Sequence, residues 1–371
     1  MSCMESSPID FLVPLSMASG LDEYRSTALT VLRDVQGRAS LSAEIEFHGM
    51  SAAYGWLIAT DDSREGTQFD AHVEAWRANR VKTEAFVLEA RRVTSELERE
   101  GIDVVVTKGV VSQSRLYNCL GKRVFSDIDL MIRPADVEKV RRILSAIGFR
   151  EGFRYDATEG RLVPLERAVV LKYRMYPDHL VPHVRLGGST ISHYEIDTAY
   201  SLTWHQSPWQ IPNELHIDRR VSHDIALSDG QIVTLPAMSP EYDLAFTLLH
   251  LFREGWQLTT DSVSGLRLNQ FADAALAWAA LDQSEKVKFA NLLKDHSLVY
   301  PICWIASKVD CLTGSDMIAT MQLEPFCDEE WLGSFRGKGD SFFSTPCNVR
   351  DLFEMHGRVK LVSVSKPAVI S

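Results

Sequence analysis

Residues 103–132 read DVVVTKGVVSQSRLYNCLGKRVFSDIDLMI, two apolar runs with a Lys-Gly junction after the first and an Asp-Ile-Asp triplet inside the second. A strand over 125–132 alternates its side chains, so Asp127 and Asp129 share one face while Ile128, Leu130 and Ile132 share the other. Two carboxylates about 4 Å apart repel by about 1 kcal/mol in water and about 4 kcal/mol at an effective dielectric of 20. A half-buried pair of this kind calls for a cation. Mg²⁺ takes oxygen ligands, usually one or two carboxylates together with substrate phosphates, and suits an Asp-x-Asp pair beside a phosphate-binding turn. Lys108-Gly109 is the candidate turn. Val104 to Val106 is a β-branched run, and Val111, Leu116 and Leu120 follow at helix-compatible spacing, which reads as strand, turn, helix. Gly109 lets the chain turn sharply, the first amides of the helix face an anion, and Lys108 adds positive charge.

Outward from this stretch, the 371 residues allow two domains or one elaborated domain. A net charge of −11 argues against a long nucleic acid as partner and favours a small-molecule or protein partner. The cysteines Cys3, Cys119, Cys303, Cys311, Cys327 and Cys347 lack C-x-x-C spacing, so neither a zinc site nor a disulfide framework is expected. No apolar run approaches the roughly 20 residues that span a bilayer, and no basic leader precedes Phe11 to Met17, so the expectation is a cytoplasmic protein with no membrane partner.

Taken in order, residues 1–20 read as a loosely ordered leader, 21–61 as helices broken near Gly37 and Gly49, and 62–66 as a turn. A long helix carries Phe69, Val73, Trp76, Phe86, Val87, Ala90, Val93 and Leu97 and stops at Gly101. After the Asp-x-Asp strand, Pro134 and Asp136 start a helix that ends at Gly148. A short helix over 166–175 precedes strands over 180–186 and 191–200. His179 and His183 read as structural, because Pro182 prevents a regular helix from placing both on one face. Trp204, His205 and Trp209 read as a packing corner, with base stacking as the other option. Helices are expected from Ser239-Pro240-Glu241 and over 266–281, and a partly irregular tail from 315 onward.

Three segments form one ordered block, VTSELEREGIDVVVTKG (93–109), RVFSDIDLMIRPAD (123–136) and VRRILSAIGF (140–149), followed by HYEIDTAY (193–200). The block resembles the nucleotidyltransferase superfamily of the DNA polymerase β type. Within it, the block is most similar to the bacterial family of uncharacterised nucleotidyltransferases, distantly related to aminoglycoside and toxin-type nucleotidyltransferases. The resemblance implies that Asp127 and Asp129 hold metal ions and that a later strand supplies a third acid. Glu195 and Asp197 are the candidates for it. Asp197 is preferred, since Ile-Asp-Thr-Ala-Tyr stands where the family has an apolar residue, an acid, then Leu-His-Trp. Two departures stand out. Val110, not Ser, follows Gly109, which leaves Ser112 as the nearest hydroxyl, and Thr198-Ala199 replaces Leu-His.

The expected fold is α+β, a small mixed sheet with helices on one face, flanked by helical regions at both ends. The expected division is an N-terminal helical region (1–95), a catalytic core (96–235) and a C-terminal helical region with an irregular tail (236–371). The implied reaction is NMP transfer from an NTP, ATP first, to a small-molecule or peptide/protein acceptor, with release of pyrophosphate. Two Mg²⁺ ions, or Mn²⁺ in their place, would be held by Asp127, Asp129 and Asp197. Lys108, Gly109, Ser112, Arg115 and Arg123 are the expected substrate-binding residues. Two alternatives accompany it, a regulator that keeps the fold and binds nucleotide without turnover, and a toxin-like enzyme acting on tRNA or protein. Net acidity counts against tRNA, although Arg141, Arg142 and Arg150 lie close in sequence.

Overall fold

The structure is a computed structural model and describes residues 8–18, 20–35, 39–61, 70–175, 178–205, 207–258, 266–337, 339, 341–345, 349–353 and 361–370. The expected turn at 62–66 lies outside them, as do Cys3, Phe69 and Cys347. The described residues separate into two compact units, one drawn from 77–243 and the other from 1–76 together with 244–371. No helix among the described residues is long and apolar enough to cross a membrane.

The chain opens with helices α1 (Pro8–Ala18), α2 (Arg25–Val35), α3 (Ala39–Phe47), α4 (Ser51–Ala59) and α5 (Asp70–Arg99). There follow β1 (Val104–Thr107), α6 (Gly109–Tyr117), β2 (Ile128–Ile132) and α7 (Val137–Ala146). Next come β3 (Arg150–Glu151), β4 (Phe153–Asp156), β5 (Arg161–Pro164), α8 (Arg167–Met175), β6 (His183–Leu186) and β7 (His193–Ala199). Helix α9 (Asn213–Asp218) leads to the hairpin β8 (Val221–Ala226) and β9 (Ile232–Ala237).

The unit 77–243 is built on a seven-stranded mixed sheet in the order β3-β6-β7-β2-β1-β9-β8. The pairing β1/β2 is antiparallel, while β2/β7 and β1/β9 are parallel. One face of the sheet presents Val104, Val106, Ile128, Leu130, Ile132 and Ile196, and it buries against Phe86, Val87, Ala90, Val93 and Leu97 of α5 and Val140 and Leu144 of α7. The α5 residues recur at three- and four-residue steps, the spacing of one helix face, so the apolar stripe and the alternating strands meet as the sequence predicts. The fold is mixed α+β with flanking helices, and its sheet is larger than expected. The additions are β3 at one edge and β8–β9 at the other, and the Asp229-Gly230 turn of β8–β9, with Gly230 at φ +86°, is the short-range hairpin signal that the sequence reading passed over.

In the other unit, residues 8–18 are helical and not a loose leader: Leu12, Leu15 and Met17 are buried where α1 packs on α2. Pro14 sits inside this helix, its lost hydrogen bond offset by the burial of its neighbours. The later helices are α10 (Pro240–Trp256), α11 (Leu268–Ala280), α12 (Gln283–Asp295), α13 (Val299–Thr313), α14 (Met317–Met321) and α15 (Glu329–Leu332). Helix α12 starts at a capping box in which Asp282 accepts from the Glu285 amide at 2.8 Å. The tail expected to be irregular carries α14, α15 and an antiparallel sheet of β10 (Ser334–Arg336), β11 (Phe342–Ser344) and β12 (Val362–Val364). Its strands are too short to show a period, and buried Trp331, Phe335 and Phe342 hold them.

Burial pushes the imidazoles of His48, His183, His216 and His223 down to about 4. An unfolded histidine protonates near pH 6.5. Stability from this source is therefore present above about pH 6.5 and lost as pH falls toward 4, at about 1.4 kcal/mol per pH unit for each proton taken up on unfolding. We expect the thermal midpoint to fall between pH 7 and pH 5, and His216→Phe to flatten that fall. An unchanged slope in the variant would remove the histidine account.

Candidate active site

The site is assembled where three strands run side by side. Thr107, the last residue of β1, faces Asp129 on β2, and Asp129 in turn faces Asp197 on β7. Asp127 precedes β2 by one residue. Carboxylate oxygens of Asp127, Asp129 and Asp197 lie within 4.8 Å of one another. Asp129 is buried, and the other two are half-buried. Glu195 stands two residues before Asp197, on the same face of β7. Burial first, then Asp129 and Asp197, push the Asp127 carboxyl up to about 7. Glu195 is pushed up by burial and then by Asp197.

The Lys108 ammonium answers this charge, donating to Asp129 Oδ1 at 3.0 Å. Burial alone would lower its pKa, but Asp129, Asp197 and Asp127 outweigh burial and hold it above the usual lysine range. The lysine reaches them from a strained backbone, φ 48° and ψ −130°, a conformation costly for any residue with a Cβ. The sharp turn is thus made by Lys108, not Gly109. The glycine serves another need, since a Cβ there would stand 2.7 Å from Cγ of Phe125, two residues before Asp127.

The family described as "Uncharacterised nucleotidyltransferase" matches residues 67–309, a span that holds all of β1 to β9 and the aspartate cluster. The chain belongs to this family of nucleotidyltransferases. No curated protein matches it.

In this member of the family the remaining expected site residues divide. Ser112 is buried one turn into α6, and its amide is already bonded to the Lys108 carbonyl at 2.8 Å. Arg115 lies at the far end of α6, bound to Asp243 at 2.8 Å and to the Met238 carbonyl at 3.0 Å, where it ties α6 to the segment after β9 in the same unit. Arg123 is half-buried in the loop before Asp127, and its carbonyl accepts from Asn79 at 2.9 Å and from Gln113.

That loop, 118–126, is bracketed by residues the sequence reading missed. Asn79 donates to the Gly121 carbonyl at 2.8 Å, Gln113 accepts from the Gly121 amide at 3.0 Å, and Lys82 donates to the Phe125 carbonyl. Lys82 also feels the Asp127 carboxylate, which opposes the lowering of its pKa by burial. The available signal was a set of polar residues on otherwise apolar helix faces, Asn79 and Gln113 among them, which a buried helix tolerates only when each finds a partner. Of the other candidates, His179 bridges Ala199, two residues past Asp197. His183 is buried on β6, His179 lies beside Asp178, and Trp204 packs edge-on against Trp209 at 5.8 Å between ring centroids.

Proposed function

We propose that the chain transfers a nucleoside monophosphate from an NTP, ATP first, to a hydroxyl of a small-molecule or peptide/protein acceptor and releases pyrophosphate. The observation that carries this reading is the register that sets Asp197 opposite Asp129, with Asp127 within 4.8 Å and Lys108 at the mouth of α6. The donor set fits magnesium, since among the described residues the group consists of three carboxylates, which supply hard oxygen. Asp127, Asp129 and Asp197 would hold it, as two ions or as Mn²⁺ in its place. When bound, the metal neutralises charge on the phosphoryl oxygens and makes the acceptor hydroxyl more acidic.

The protein's own groups orient the substrate. The first amides of α6 lack partners within the helix and point toward an anion at its N-terminus, where Lys108 supplies a cation for the β- and γ-phosphates. Arg123 adds positive charge from the loop before Asp127, and Ser112 supports the first turn of α6. Arg115 acts at one remove, holding α6 through Asp243. Asn79, Gln113 and Lys82 fix the loop that delivers Asp127. The carboxylates on β2 and β7, and a net charge of −11, disfavour a polyanionic acceptor such as tRNA.

The test is pyrophosphate release from each of the four NTPs with Mg²⁺ and a cell extract as acceptor source. The unaltered protein is expected to release pyrophosphate, and Asp127→Asn/Asp129→Asn to lose that release while keeping its circular-dichroism spectrum. Release that survives in the double variant would remove these aspartates from the chemistry.

A further inference from the structure

The face of β7 that carries Asp197 continues past the aspartate cluster. His193, Glu195 and Asp197 alternate with Tyr194, Ile196 and Thr198. Tyr194 turns toward Phe86 of the core, with ring centroids 5.2 Å apart, and Ile196 is fully buried there, so the odd-numbered residues line the cluster face. At about 3.3 Å per residue, His193 stands roughly 13 Å along the strand from Asp197. At that point the ring of Tyr155, from β4, lies flat on the imidazole, with centroids 4.6 Å apart and planes 12° from parallel. Both residues are only half-buried. In the same unit Phe86 and Phe125, and Trp204 and Trp209, meet edge to face in buried surroundings.

One segment builds this wall. Strands β3 and β6 pair directly, so β4, β5 and α8, over 153–175, are an excursion between them that brings Tyr155 onto His193. The same excursion carries Tyr173 on α8, whose phenol is pushed up by burial and then by Asp197, Glu195 and Asp127. Burial, with Lys82 nearby, lowers the pKa of His193, so at neutral pH its ring is an uncharged stacking partner.

The two sides of the cluster differ in chemistry. Lys108 and α6 adjoin β1, and β7 lies on the opposite side of β2 in the strand order β7-β2-β1. In an in-line displacement the acceptor hydroxyl stands opposite the departing pyrophosphate, so the nucleoside projects sideways from the α-phosphorus, along the strand face that carries Asp197 and His193. We propose that the stacked Tyr155–His193 pair is the nucleobase platform of the NTP site. The proposal rests on the nucleotide reading of the aspartate cluster and deepens it. A flat π-surface accepts every base, and larger rings gain more, so the platform selects purine over pyrimidine without reading base edges.

The test measures binding of α,β-methylene-ATP and of inorganic tripolyphosphate, both with Mg²⁺, to the full chain and to Tyr155→Ala and Tyr155→Phe. Tyr155→Ala is expected to weaken the nucleotide analogue about tenfold, ~1.4 kcal/mol, and to leave tripolyphosphate unchanged. Tyr155→Phe keeps the ring and should match the unaltered protein. Equal nucleotide affinity in Tyr155→Ala would reduce the stack to packing, and equal losses for both probes would make it a support of the phosphate site. Either result overturns the platform. An unaltered protein that binds tripolyphosphate as well as the nucleotide also excludes a base platform. Binding of neither probe defeats the nucleotide reading itself, and the platform with it.

Discussion

Asp127→Asn is expected to end nucleotidyl transfer and, in the metal-free protein, to raise stability. The two effects have one cause. Asp127, Asp129 and Asp197 crowd their oxygens within 4.8 Å, and Glu195 stands on the same face. Lys108 compensates part of that charge. Burial and the neighbouring carboxylates therefore oppose an ionised Asp127, and replacing it with a neutral side chain of the same shape removes the opposition. Allowing for partial exposure and for Lys108, the gain at pH 8 is roughly 1–3 kcal/mol. For a unit of this size that moves the thermal midpoint by about 2–4 °C per kcal/mol. Loss of a carboxylate that would hold the metal at the reacting phosphate should lower turnover by about 10³-fold or more. Thermal unfolding in chelator, paired with pyrophosphate release in Mg²⁺, reads both. A variant that is both less stable and still active would show that the cluster is not an ion site.

Lys108→Met is expected to do the opposite to stability and the same to activity. Removing the ammonium leaves Asp129 with its buried charge uncompensated, which typically costs about 3–5 kcal/mol. Mg²⁺ should recover much of this loss, because the ion supplies the missing positive charge, and such recovery would itself report an ion among the carboxylates. Transfer should remain at least about 10²-fold below the unaltered rate, since the phosphate-side cation is gone. Lys108→Gly separates charge from strain. It loses the same ammonium but relaxes the positive φ, so it should be as inactive as Lys108→Met and more stable than it by about 1 kcal/mol or more. If the two variants unfold at the same temperature, the backbone at this turn carries no strain of consequence.

Part of this site was open to reading one residue at a time. The Asp127–Asp129 pairing on one face follows from the two-residue repeat of a strand, and the strand–turn–helix around Lys108 follows from β-branched residues giving way to helical spacing. Other features were legible but passed over, such as the Asp229-Gly230 hairpin turn and the capping box at Asp282. Arg115 shows where local reading stops. It lies six residues after Gly109 on the same helix and has the chemistry of a phosphate ligand, yet its guanidinium is bound to Asp243, 128 residues away. The loop bracket is similar, for Asn79 finds Gly121 across 42 residues, and nothing near either residue announces the other.

The sequence by itself determined the α+β class, the Asp-x-Asp strand, the long apolar-striped helix that covers it and the sign of the charge at the turn. These are properties of backbone periodicity and composition, which act over a few residues. Tertiary structure decided the rest: that β7 lies parallel to β2 in the register that sets Asp197 opposite Asp129, that Lys108 bonds to Asp129, that Phe125 needs Gly109 to lack a side chain, and that Tyr155 lies on His193. A one-residue slip of β7 would turn Asp197 inward and Ile196 outward. Burial of Ile196 and Tyr194 against the α5 side of the sheet prevents that slip, so the packing of the apolar face sets the geometry of the charged one.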